Sequence, residues 1–180
     1  MKHLDTKRLV LRDWEQTDLE DFFAYASKPS IGPAAGWPPH TCITTSQKIL
    51  DSFIKSQEVW AITDKLSQRV IGSLGLHPDE HRKNPNCRMI GYVLDDLYWG
   101  KGLMKEAVEA VLDYAFNDLA LDLISVYHYP FNHQSKRVIE KCGFTYEGTM
   151  RRALIHFDKG VTDSCCYSMT KEEYVHKKRS

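Results

Sequence analysis

Ile90-Gly91-Tyr92-Val93-Leu94-Asp95-Asp96-Leu97-Tyr98-Trp99-Gly100-Lys101-Gly102-Leu103-Met104-Lys105-Glu106-Ala107 is the stretch on which the fold turns. An apolar run ends in two acids, a short loop with two glycines follows, and an amphipathic pattern begins at once. From Leu103 to Leu119 the apolar residues Met104, Ala107, Val108, Val111, Ala115 and Leu119 recur at three- and four-residue steps. Lys105, Glu109, Asp113 and Asn117 fall opposite them, which predicts a helix. A strand feeding a glycine loop that opens a helix is an anion site. Glycine lets the backbone approach closely, the first-turn N–H groups have no partner within the helix, and the macrodipole adds partial positive charge. Lys101 adds a mobile full charge. The guest this predicts is a phosphate or pyrophosphate. Two nucleotide loops are excluded by spacing: G-x-x-x-x-G-K-[ST] is absent, and so is G-x-G-x-x-G with an acid about 20 residues on.

Outward from this stretch the chain alternates strands and helices. Thr6 to Arg12 reads as a strand, and Thr17-Asp18-Leu19-Glu20 opens a helix through Ser27. Pro29 to His40 is rich in proline and glycine and predicts a loop, with Trp37 placed either to wall a substrate cleft or to anchor the loop. A helix is expected from Thr45 to Gln57, then strands at Val59–Ile62, Val70–Leu76 and Arg88–Leu94. After the long helix come a strand at Leu123–Tyr127 and a helix capped by Asn132, with Lys141 in its last turn and Gly143 beyond it. Strands are expected at Thr145–Met150, Leu154–Phe157 and Val161–Met169, and the tail from about residue 171, ending Lys177-Lys178-Arg179, is expected to be flexible. The order β-α-α-β-β-β-α-β-α-β-β predicts one mixed α/β domain over residues 1–180.

The 24 basic and 24 acidic residues among 180 balance, so no global field draws the chain to nucleic acid or a membrane. Met1 to Asp5 has no apolar secretory segment, and five cysteines at irregular spacing argue against a disulfide framework. A cytoplasmic protein is expected, as a monomer or homodimer. His77 and His81 stand four apart, but Pro78 and the lack of a glutamate after the first histidine exclude the helical zinc motif, so no metal is expected.

The loop resembles the acyl-CoA pyrophosphate loop of the GNAT N-acetyltransferases, Q/R-x-x-G-x-G/A, with Trp99, Gly102 and Met104 at its three defining places. The wording Y-W-G-K-G-L-M-x-E-A is similar to the RimJ/RimL-like branch, the ribosomal-protein N-terminal acetyltransferases and their relatives. So are Thr6-Lys7-Arg8-Leu9-Val10-Leu11-Arg12, the segment Asn132 to Phe144, and the late pair Asp163 and Tyr167. The resemblance implies a single GNAT domain with a mostly antiparallel sheet, splayed in the middle and flanked by helices. It implies acetyl transfer from acetyl-CoA to a primary amine in a ternary complex, the acceptor being a protein N-terminus or a small amine; a non-catalytic acyl-CoA sensor is the alternative. Tyr92, Val93 and Leu94 are then expected along the pantetheine arm, Trp99, Gly100, Lys101, Gly102, Leu103 and Met104 at the pyrophosphate, and Asn132, Ser135 and Lys136 at the cofactor from the next helix. Ser135 is the implied acid for the leaving sulfur, with Asn132 beside it. Trp37 and Asp95 are the expected acceptor contacts. Met89 stands where such relatives often carry a glutamate and cannot take a proton. The base is left open among Asp95, Asp96, His77 and Glu147.

Overall fold

The computed structural model describes residues 1–179. Eight strands form one sheet in the order β1-β2-β3-β4-β5-β6-β8-β7. They are β1 (Leu4–Asp5), β2 (Leu9–Arg12), β3 (Val59–Asp64), β4 (Val70–Pro78), β5 (Cys87–Leu94), β6 (Leu123–His128), β7 (Thr145–His156) and β8 (Gly160–Thr170). The helices are α1 (Leu19–Ala26), α2 (Gly32–Ala35), α3 (Ile43–Ser56), α4 (Leu103–Asp113), α5 (His133–Cys142) and α6 (Lys171–Arg179). The sheet is mixed and mostly antiparallel, with β5 and β6 its one parallel pair.

That pair carries the architecture of the site. β5 and β6 are in register only from Cys87↔Leu123 to Ile90↔Val126. Beyond it β5 stays on β4 as far as Leu94↔Gly72, while Tyr127 and His128 stay on β8. The two halves of the sheet therefore part after Ile90. The Asp95 N–H donates to the Ile71 carbonyl on the β4 side. By the alternation of a strand, the backbone groups of Tyr92 and Leu94 face the gap instead.

Two apolar layers hold the sheet. On one face Leu103, Met104, Ala107, Val108, Val111 and Leu112 of α4 pack with Leu9, Leu11, Ile62, Leu74 and Ile90. Each such buried aliphatic side chain contributes about 1.5–3 kcal/mol, which fixes the helix start against the strand end. On the other face Phe22, Tyr25 and Ala26 of α1 and Leu50 of α3 cover Ala61 and Val70.

Four expectations are corrected. Residues 171–179 form a packed helix: α6 buries Tyr174, whose hydroxyl donates to Asp113 Oδ1 at 2.5 Å, and Lys177 Nζ donates to the Cys142 carbonyl at 2.5 Å. Its basic run hid the single aromatic anchor. The long helix ends at Asp113, where Tyr114–Asp118 continue as a π-helical turn. The two strands expected between Thr145 and Phe157 are one strand with register breaks between Tyr146 and Gly148 and between Met150 and Leu154. The loop from Pro29 to His40 contains α2.

Candidate active site

The phosphate loop is built as its glycines require. Gly100 and Gly102 both have φ of +75°, and Gly102 is the N-cap of α4 with no side chain capping the helix. The Glu106 N–H is the first to bond back, to the Gly102 carbonyl, so the N–H groups before it are open to a ligand. Trp99 closes the loop onto its strand, its Nε1 donating to the Leu94 carbonyl at 2.8 Å. From the other side Arg8 Nη1 donates to the Lys101 carbonyl at 2.9 Å. Glu106 accepts Thr6 Oγ1, the Arg8 N–H and Arg8 Nε, all at 2.7 Å. The opening motif and the loop motif are thus two halves of one clamp.

Asp95 and Asp96 precede this anion site and share one cation within the fold. Lys28 Nζ bonds Asp95 Oδ1 and lies 2.8 Å from Asp96 Oδ1, and Ser30 Oγ donates to Asp96 Oδ2 at 2.6 Å. Those contacts from Lys28 and Ser30 hold the Asp96 carboxyl down at about 2. The stability this contributes is complete above the ordinary carboxylate range and is lost as pH falls toward 2. Asp95 also caps the turn Asp96–Tyr98 by accepting the Leu97 N–H. It lines neither cavity of the site. Asp95, expected at the acceptor, instead has its carboxylate committed to Lys28 and to the turn. Lys28→Met removes the one positive charge that the two carboxylates share beside the glycine loop. It is expected to raise the acetyl-CoA Kd about 3–10-fold at low salt, with the effect shrinking at high salt. Calorimetry at two ionic strengths checks this, with Lys28→Arg as the near-neutral control.

A cavity of about 210 Å³ opens on the loop. Of the residues expected at a cofactor, Tyr92, Val93, Leu94, Trp99, Gly100, Gly102, Leu103, Met104, Asn132 and Ser135 line it together. Lys101 and Lys136 do not. The Lys101 ammonium lies 5.1 Å from the Tyr98 ring centroid, and Lys136 Nζ lies 3.8 Å from Glu140 Oε1, as expected of exposed lysines at those places on loop and helix. Arg137 and Lys141, which the sequence reading did not assign to a cofactor, line the cavity one helical turn apart. Among the described residues neither has an acid within ion-pair distance. The acids nearby are already paired: Glu106 with Arg8, Glu109 with Lys105, Glu140 with Lys136. The cavity therefore presents open N–H groups and two unspent cations, which suits a polyanionic cofactor.

A second cleft of about 800 Å³ lies on the far side of α2, and Ala34, Ala35, Tyr92, Val93, Asn132 and Ser135 line both spaces. This shared ring is where the two clefts meet. Asn132 spans it: its Oδ1 accepts the Ser135 N–H at 3.0 Å as the cap of α5, and its Nδ2 donates to the Ala34 carbonyl at 2.8 Å. The Ser135 and Tyr92 hydroxyls stand 3.1 Å apart. Burial pushes the Tyr92 phenol well above the ordinary tyrosine range, so it stays protonated and able to donate.

The second cleft is walled by Trp37, His40, Phe22, Phe53, Tyr127 and Tyr129, with Gly75, His77, Gly91 and Val93 on its floor. No Asp, Glu, Lys or Arg lines it among the described residues. Trp37 both walls the cleft and anchors the loop, since any Cβ on Gly32 would stand 2.5 Å from its ring. Of the four groups left open as a proton acceptor, Asp95 and Asp96 hold Lys28, and Glu147 holds Arg82 and Ser168. Only His77 lines the cleft. His128 lines it too but is buried, its Nδ1 bonded to the Tyr129 carbonyl at 2.8 Å, and burial lowers its pKa.

The split sheet thus carries an open helix terminus at one side and an uncharged cleft at the other. Residues 8–145 match the Acetyltransferase (GNAT) domain family. The chain is 30% identical over 183 residues to the uncharacterized N-acetyltransferase p20 of Bacillus licheniformis, covering 97% of this chain and 99% of that protein. Its fold aligns with the ribosomal-protein-S5-alanine acetyltransferase of Vibrio fischeri at a TM-score of 0.79 and 21% identity, over 97% of this chain and 99% of that one. It also aligns with the microcin C7 self-immunity acetyltransferase MccE, solved with acetyl-CoA and AMP, at a TM-score of 0.78 and 20% identity over 91% and 93% of the two chains. The chain belongs to the GNAT acetyltransferases, in their RimJ/RimL-like family, and is an N-acetyltransferase. No helix among the described residues is long and apolar enough to cross a membrane.

Proposed function

We propose that the enzyme moves acetyl from acetyl-CoA to a primary amine borne on an apolar or aromatic body, foremost the N-terminal amine of a polypeptide. The observation that carries this is the acceptor cleft, aromatic-walled and without a carboxylate. A polyamine or aminoglycoside brings several positive charges, and desolvating them in such a cleft without acids is costly. An N-terminal amine has a pKa near 8, brings one charge at most, and is partly neutral at pH 7. The likeness in fold to an acetyltransferase of a ribosomal-protein alanine is consistent with this acceptor. A small amine with an apolar body is the second reading, because about 800 Å³ lies within the range of a small-molecule site.

In this reading the pyrophosphate lies on Gly100–Met104, with Arg137 and Lys141 at its phosphates, and the pantetheine arm pairs along the strand edge with the backbone groups of Tyr92 and the N–H of Leu94, whose carbonyl is held by Trp99. A backbone N–H on that edge polarises the carbonyl. Ser135, backed by the Tyr92 hydroxyl, protonates the leaving sulfur, and Asn132 holds the start of α5 in place. The test is thiol release from acetyl-CoA with peptides beginning Ala, Ser, Met or Phe, against 2-phenylethylamine, spermidine and kanamycin. Peptides are expected to exceed spermidine in kcat/KM by about 100-fold or more, which corresponds to about 3 kcal/mol of discrimination. A preference for the polycations would overturn the reading, and a preference for phenylethylamine would select the small acceptor.

A further inference from the structure

Resting on acetyl transfer to an amine as proposed above, the geometry points to the imidazole of His77, oriented by Glu58, as the general base that takes the acceptor's proton. His77 on β4 is paired directly with Met89 on β5, so the two side chains rise from the same face of the sheet. Met89 cannot accept a proton; its cross-strand neighbour can. Two residues along, Gly75 is paired with Gly91. Neither has a side chain, and the cleft floor between His77 and the Tyr92–Val93 backbone is bare.

The His77 ring folds over that bare floor. A Cβ at Gly75 would stand 2.1 Å from Nε2, whereas a Cβ at Gly91 would meet nothing within 4 Å. Nε2 thus lies at the edge of an open patch beside the residues shared by the two cavities. Behind the ring, Nδ1 lies 3.3 Å from Glu58 Oε2. With the carboxylate accepting Nδ1–H, the lone pair is fixed on Nε2, the nitrogen on the cleft floor. The other titratable groups of the cleft are otherwise engaged. His40 is buried, burial lowers its pKa, and its Nδ1 lies 2.7 Å from the neutral Ser46 Oγ with no carboxylate behind it; the Tyr127 hydroxyl donates to Asp79 at 2.8 Å, and Tyr92 is paired with Ser135. Burial raises the Tyr129 phenol above the ordinary tyrosine range, so it stays protonated, and His128 Nε2 is sealed from the cleft by burial. Among the described residues Glu58 is the one charged group bonded to His77.

An ammonium acceptor gives one proton to Nε2. The freed lone pair forms the N–C bond with the acetyl carbon, and the C–S bond breaks with its electron pair on sulfur. The second proton lost by nitrogen is matched by the one the thiolate gains. The products are the amide, the CoA thiol and an imidazolium that returns its proton to water.

The experiment compares wild type with His77→Gln using an alanine-initiated pentapeptide, hydroxylamine and water as acetyl acceptors. The peptide amine is mostly ammonium at pH 7, whereas hydroxylamine arrives uncharged and needs no base. His77→Gln is expected to lose about 100-fold or more with the peptide and in amine-free hydrolysis of acetyl-CoA, but no more than about 3-fold with hydroxylamine. Added imidazole should restore part of the loss. Glu58→Gln, a change at a positioning residue, should show the same pattern at about a tenth of the size. An equal loss on peptide and hydroxylamine, as a structural role would give, overturns the assignment, and so does an absence of any difference between the two proteins. A wild type that acetylates hydroxylamine but not the peptide marks failure of the peptide reading instead, and the hydrolysis comparison then decides the base.

Discussion

Gly102→Glu is expected to weaken acetyl-CoA binding by 100-fold or more while leaving a folded protein. Two effects combine. Gly102 has φ of +75°, a conformation that costs a residue with a side chain about 1–2 kcal/mol. That strain alone does not block the site, because an added Cβ would meet only Arg8 Nη2, at 3.8 Å. The larger effect is electrostatic. A carboxylate about 4 Å from a pyrophosphate costs about 1–4 kcal/mol for each unit of charge on the guest, depending on how much water remains between them. It would also draw Arg8 away from Glu106 and the Lys101 carbonyl, loosening the clamp that holds the loop. Gly102→Ala separates the two effects, since it carries the strain without the charge, and a rise in Kd of only a few-fold is expected there. Calorimetric CoA binding for the pair, with thermal melts, is the measurement. An unchanged Kd in Gly102→Glu would remove the loop from cofactor binding.

The loop was legible because every determinant lies within a few residues: the apolar run, the glycines and the amphipathic start of α4. Most of the elements followed in the same way from local alternation and punctuation, although β1 was not foreseen and β7 was read as two strands. Its partners were not legible, because they are distant in sequence. Thr6 and Arg8 meet Glu106 across about one hundred residues, and each motif read alone gave no sign that the other completed it. Lys28 pairs with both Asp95 and Asp96 from a turn that reads only as polar. Arg137 and Lys141 look like ordinary solvated helix charges, and only the placement of α5 beside the loop brings them to the cavity that opens on it. Lys101 shows the converse: adjacency to the glycines suggested a phosphate contact, yet its side chain lies over Tyr98. The floor of the acceptor cleft was least legible of all, for it consists of paired glycines whose importance lies in what they leave open.

Those glycines give the opposite signature to Gly102. Gly91→Val is expected to preserve both the fold and acetyl-CoA binding and to reduce acetyl transfer by 100-fold or more. Gly91 is a strand residue outside the left-handed region, in register with Gly75, and an added Cβ would meet nothing within 4 Å. Valine suits a strand, and replacing glycine there returns about 0.5–1 kcal/mol of backbone entropy. For a chain of this size the melting temperature should hold or rise by about 2–4 °C. The branched side chain would fill the open floor between His77 and Val93, the ground on which an acceptor amine must stand. A near-attack approach needs the reacting atoms about 3–3.5 Å apart, and even a misplacement of about 1 Å costs about 100-fold. CoA binding reads the loop and the strand edge, so its Kd should stay within about 3-fold, since one strand-floor substitution removes none of the phosphate contacts. Gly75→Val would instead collide with His77 Nε2 and disturb the ring as well as the floor. Full transfer activity in Gly91→Val would place the amine elsewhere, and with it both the acceptor cleft and the base assigned to it.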